Sequence, residues 1–293
     1  MTARATPRFT FVQLDVPGRL GLDDGRYLLR DEDGEGRAVV VVQTLGASAA
    51  SSARRRRRAR RADPADPPAE VPLTRLTVIP AEASDGDAAA LELERRAGDA
   101  DAAEAAIAGA LRMVNGLLRA QRIATQDPYG HGIAREAALV ARTGYGSGEG
   151  LAEGRWEEAF EVPHPARRRR RAEALRPQER LAAVLAGREA IDVCEPLLLR
   201  ARADLDQERT REAALQLRAG LDALLAELPG NAGPDQEDDL AALAARREAI
   251  NAAAEEALRG ELSTARGEEL EETQRICERV LRRRQALRGT EPG

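Results

Sequence analysis

The chain contains no lysine; all 45 of its basic residues are arginine. That absence excludes Walker A phosphate binding, Schiff-base catalysis and the kinase strand lysine, each of which needs a primary amine. Aromatic residues make up only 2% of the chain, and Phe9, Phe11, Tyr27, Tyr129, Tyr145, Trp156 and Phe160 all precede residue 161. A domain boundary over residues 161–176 follows from that shift. Cys194 and Cys277 are the only cysteines, both within helical apolar patterns, so they read as small core residues and imply no disulfide framework. A zinc site would need them to converge with His131 and His164, at separations that match no ligand pattern. No metal and no cofactor is expected.

Long apolar runs are also missing. "AVVVVQTLGASAASSA", residues 38–53, is uncharged but too short and too rich in Ser, Thr and Gln to cross about 30 Å of hydrocarbon. The N-terminus carries no apolar signal segment. The expectation is a soluble, cytoplasmic protein without a membrane partner.

What the chain does have is alanine and arginine in quantity, the mark of coding bias in a GC-rich bacterial genome. Charged residues are 32% and hydrophobic ones 43%, with a net charge of −5, so folding is expected. Alanine buries little area, which implies a thin core made by close helix packing.

"RFTFVQLDV" (8–16) alternates like a half-buried strand and ends at Pro17-Gly18. Residues 25–45 read as a hairpin turning at "DEDGEG", with the run Val39 to Val42 covered on both faces. "VPLTRLTVIP" (71–80) is a fourth strand, with its prolines marking either a sheet edge or the strand ends. A short helix near 86–96 and a longer one over 99–121 follow, then a second hairpin over 138–163. The fold class is therefore α+β, a largely antiparallel N-terminal sheet with one or two helices on a face. Beyond a Pro/Arg-rich linker (163–176), residues 177–290 predict a C-terminal helical bundle or hairpins of about four helices. The first of these runs from Pro177 through Leu198, kinked at Pro196.

No catalytic signature emerges. "GYGSGEG" (144–150) has the spacing GxGxGxG and leads into a strand, so it reads as a flexible hairpin instead of a phosphate loop. His131 would need Asp127 and Ser147 beside it to act as a base, and a solvated loop histidine is the simpler reading; His164, between prolines, reads the same way. The acidic clusters "DQEDD" (235–239) and "EELEE" (268–272) lack metal-site spacing and suit helix ends, the first as a cap.

The arginines are unevenly spread. Arg54, Arg55, Arg56, Arg57, Arg58, Arg60 and Arg61 crowd one loop, and Arg167, Arg168, Arg169, Arg170 and Arg171 crowd the linker, ahead of the next helix. Such runs repel themselves and stay extended until they meet an anion. Guanidinium groups make bidentate phosphate contacts, so these twelve residues are the candidate polyanion-binding site. The expected function is a non-enzymatic binding protein that contacts nucleic acid or a similar polyanion. The alternative is a scaffold whose C-terminal helices self-associate into a homo-oligomer or grip a protein partner. Its arginine runs would then be solvated loops or would meet acidic surfaces, including the chain's own "DQEDD" and "EELEE".

Overall fold

The computed structural model describes residues 7–31, 33–46, 71–164, 171–227 and 234–288. The chain divides into two compact units between Ala166 and Arg167.

The first unit is built on an antiparallel six-stranded sheet in the order β2-β3-β4-β1-β5-β6. Its strands are β1 (Phe9–Pro17), β2 (Gly25–Arg30), β3 (Gly36–Leu45), β4 (Leu73–Pro80), β5 (Val140–Gly146) and β6 (Glu158–Glu161). The α+β class read from the sequence is the one observed. Alternation sends Val12, Leu14, Val16, Val40, Val42, Leu76 and Val78 to one face of the sheet. There they meet Ala103, Ile107, Ala110, Leu111 and Val114 of helix α2 (Ala100–Thr125), which follows the shorter α1 (Gly86–Gly98). Asp99 starts α2 by accepting from the Asp101 N–H at 3.0 Å. The β4 prolines mark ends and not an edge: β4 lies between β3 and β1, with Pro72 outside the strand and Pro80 its last residue.

The second unit contains, among the described residues, helices α3 (Arg171–Leu185), α4 (Cys194–Asp206), α5 (Thr210–Glu227), α6 (Pro234–Arg259) and α7 (Thr264–Arg288). Two boundaries differ from the sequence reading. The helix expected to start at Pro177 begins at Arg171 and carries Pro177 in its interior. Arg171 is therefore the first residue of α3 and not part of a linker ahead of it. The stretch "RAEAL" consists of strong helix formers, enough to extend the helix backward past the proline.

The single kinked helix expected through Pro196 is in fact two helices, with a break over 186–193. Pro196 falls in the first turn of α4, where a missing N–H leaves no hydrogen bond unmade. Glu227 at the end of α5 caps that turn, accepting from the Val193 and Cys194 N–H groups at 2.9 and 3.2 Å. The core of this unit is aliphatic and small: Leu198, Leu217, Leu221, Leu224, Leu243, Ile250 and Leu270 are all essentially inaccessible. Gly220 lets α5 approach α4 closely, since a Cβ there would lie 2.8 Å from Leu198. Cys194 and Cys277 are buried in this core as free thiols, each pushed up to about 12 by burial, which keeps them unreactive. Among the described residues no helix is long and apolar enough to cross a membrane.

Candidate functional site

Eleven of the twelve candidate arginines (Arg54–Arg58, Arg60, Arg61 and Arg167–Arg170) lie outside the described residues, and Arg171 enters only as the start of α3. What the structure does describe is the pair of strands from which those segments leave. β3 and β1 each pair antiparallel with β4, and β1 and β6 each pair antiparallel with β5. β3, β1 and β6 therefore run in the same direction. The chain leaves β3 after Leu45 and β6 after Glu161 toward the same end of the sheet. Four strand spacings separate β3 from β6, about 19 Å at roughly 4.8 Å per strand.

Both exits are held firmly. At the first, the Asp24 carboxylate accepts from the Thr44 N–H and hydroxyl at 2.9 and 2.7 Å, and Leu45 remains paired with Leu73. Arg135 secures the second by donating to the carbonyls of Val162 and Pro163 at 3.1 and 3.4 Å while paired with Glu104. Nothing in the sequence singled out Arg135, since its partners lie 27–31 positions away. His164 is exposed, as expected, and also has neighbours on the protein. Its Nδ1 lies 3.3 Å from an Arg135 guanidinium nitrogen and its Nε2 2.9 Å from the Ala138 carbonyl.

The sheet face opposite the helices carries a polar row. Arg142 donates to Gln13 at 2.9 Å and to Glu161 at 2.6 Å, and Gln13 donates to the Thr77 hydroxyl at 3.0 Å. One position along, Arg75 grips Asp15 with two bonds of 2.7 and 2.8 Å, a pairing that raises the already high arginine pKa. Trp156 covers this face, stacked on Phe11 at 5.5 Å with the Arg142 guanidinium 5.5 Å from its ring.

The glycine-rich connection between β5 and β6 is packed and not the flexible hairpin expected. Leu151 and Ala152 are buried, and a Cβ on Gly146 would lie 2.9 Å from Leu151 and 3.1 Å from the Trp156 backbone. Close approach is what these glycines permit. Beside this loop, on the same face, is a cavity of about 370 Å³ floored by Val39, Val41 and Ile79. Asp127, His131, Ser147 and Trp156 do not line it. Asp127 instead accepts from the Tyr129 N–H at 2.9 Å, and His131 and Ser147 are exposed. Among the described residues no group of three or more potential ligands is placed to hold a metal ion.

In the second unit the acidic clusters have partners of their own. Asp239 of "DQEDD" is no cap; it is buried against Arg279 and Arg283 at 2.9 and 2.6 Å. In "EELEE", Glu269 holds Arg266 at 2.7 Å and Glu272 holds Arg275 at 2.5 Å. Compared with known protein families, curated proteins and solved structures, the chain matches none.

Proposed function

We propose that the protein is a non-enzymatic nucleic-acid-binding protein whose two arginine runs contact one polyanion together. The observation that carries this reading is the common direction of β3 and β6, so both run-bearing segments leave one end of one sheet. The lateral β3–β6 spacing of about 19 Å, to which a four-residue stagger of Leu45 and Glu161 along the sheet adds, corresponds to roughly eleven or more duplex phosphate charges, at one charge per ~1.7 Å. Twelve arginines and that many charges are comparable in number. A second support is the occupation of Asp239, Glu269 and Glu272 by arginines of the helical unit, which engages three of the eight carboxylates in the two acidic clusters. The reading is tested by fluorescence anisotropy with short duplex DNA and single-stranded RNA across a salt series. Binding that weakens steeply with salt, and that is lost when Arg54–Arg58 and Arg167–Arg171 become glutamine, supports it.

The scaffold reading draws on a different observation. Leu181, Leu185, Ile191, Val193 and Leu199 of the helical unit are all more than half exposed, and apolar side chains exposed together mark interaction surfaces. Light scattering of the full chain tests it: a strictly monomeric mass over a wide concentration range contradicts self-association.

A further inference from the structure

We infer that the cavity beside the β5–β6 loop is a binding site for an uncharged, mostly hydrocarbon small molecule. Its floor is made by the branched aliphatic side chains of Val39, Val41 and Ile79, with Val39 directly opposite Ile79 across β3 and β4. Phe9 walls one side and Ala152 of the β5–β6 loop another. An apolar cavity of about 150 Å³ is enough to hold benzene. The volume here, about 370 Å³, admits a molecule roughly twice that size and falls in the range of small-molecule pockets.

Polar groups around the cavity are largely committed elsewhere. Val39, Val41 and Ile79 lie within the paired strands, so the sheet ladder engages their backbone. Pro80 has no N–H to offer, and Ala81 donates its own to the Arg37 carbonyl at 3.0 Å. In the loop wall the Gly148 carbonyl accepts from the Leu151 N–H at 3.3 Å. Among the described residues of the lining, Arg26 is the charged one, and it is already engaged: Glu153 of the β5–β6 loop lies 3.8 Å from its guanidinium. A sugar or nucleotide would leave polar groups unpaired against these walls, and an ion would give up its water with no open counter-charge in return. A neutral hydrocarbon molecule meets neither cost and gains from the apolar surface it buries.

Isothermal titration calorimetry of the full chain with octan-1-ol, octanoate and octylammonium tests the assignment, because the three share one tail and differ in charge. Octanol is expected to bind saturably at one equivalent, and both ions about tenfold more weakly or less tightly still. Val39→Trp should abolish octanol binding by filling the floor. Ala81→Trp, at the exposed rim, should weaken it about tenfold without entering the core, so a folding defect in the first variant leaves the test intact. Absence of saturable octanol binding, an ion that binds as tightly as octanol, or octanol binding that survives both tryptophan variants would overturn the proposal.

Discussion

Asp239 is 8% exposed and accepts from Arg279 and Arg283 of α7, tying the start of α6 to the final helix. The hydrogen bonds and charge of Arg279, followed by the charge of Arg283, hold its pKa below the ordinary aspartate value despite the opposing effect of burial. A depressed folded-state pKa adds stability that is complete above about pH 4 and is lost as pH falls through the folded value. Asp239→Asn is therefore expected to cost about 1 kcal/mol at neutral pH, since both arginines are more than two-fifths exposed and water screens them. The cost should shrink at acid pH, as pH falls through the lowered folded-state value. Urea unfolding of the variant and parent at both pH values measures this; an equal cost at both contradicts the assignment. At this scale the sequence was only partly legible. The helical positions of Cys194 and Cys277 identified two core residues, because burial follows the apolar stripe. Asp239 read as a cap because its cluster begins a helix, and the partners that bury it lie 40 and 44 residues away.

The β5–β6 hairpin is the element that depends most directly on a missing side chain. A Cβ on Gly144 would meet the Glu158 carbonyl oxygen, lie 2.6 Å from the Ala159 Cβ and lie 2.8 Å from the Phe11 ring. Two of these neighbours belong to the paired strand, so relief requires the backbone to move. Gly144→Ala is expected to destabilise the first unit by about 3 kcal/mol or more. Gly116→Ala, in mid-helix α2 with nothing within 4 Å, should stabilise it by about 0.8 kcal/mol. Thermal melts of the two variants check the pair, and equal effects would contradict the packing argument. The hairpins themselves were legible because turn residues and β-branched runs are local signals. The packed loop between β5 and β6 was not, since Gly-rich sequence looks the same whether glycine serves freedom or close approach. The break between α3 and α4 was hidden for a related reason: the leucine spacing stays helical across it, and one proline reads equally as a kink or as a first turn.

At the scale of the whole molecule, the two hydrophobic cores share no residue among the described residues, and each lies within its own unit. All the aromatic residues precede residue 161 and so fall in the first unit. Independent cores predict two calorimetric transitions. Leu217→Ala, at a site with no exposure, should lower only the helical one, by about 2–5 kcal/mol. A single transition that shifts as a unit would show that the two parts fold together.

The central claim is that arginine segments anchored at one end of one sheet act together on a nucleic acid. Its most direct test is the slope of log affinity against log salt for short duplex DNA, between about 50 and 200 mM. The parent should give a steep negative slope. Glutamine replacement of either run alone should reduce the slope by about 0.9 for each phosphate that is no longer neutralised, and replacement of both should bring it close to zero. A slope unchanged by replacing both runs would contradict the account.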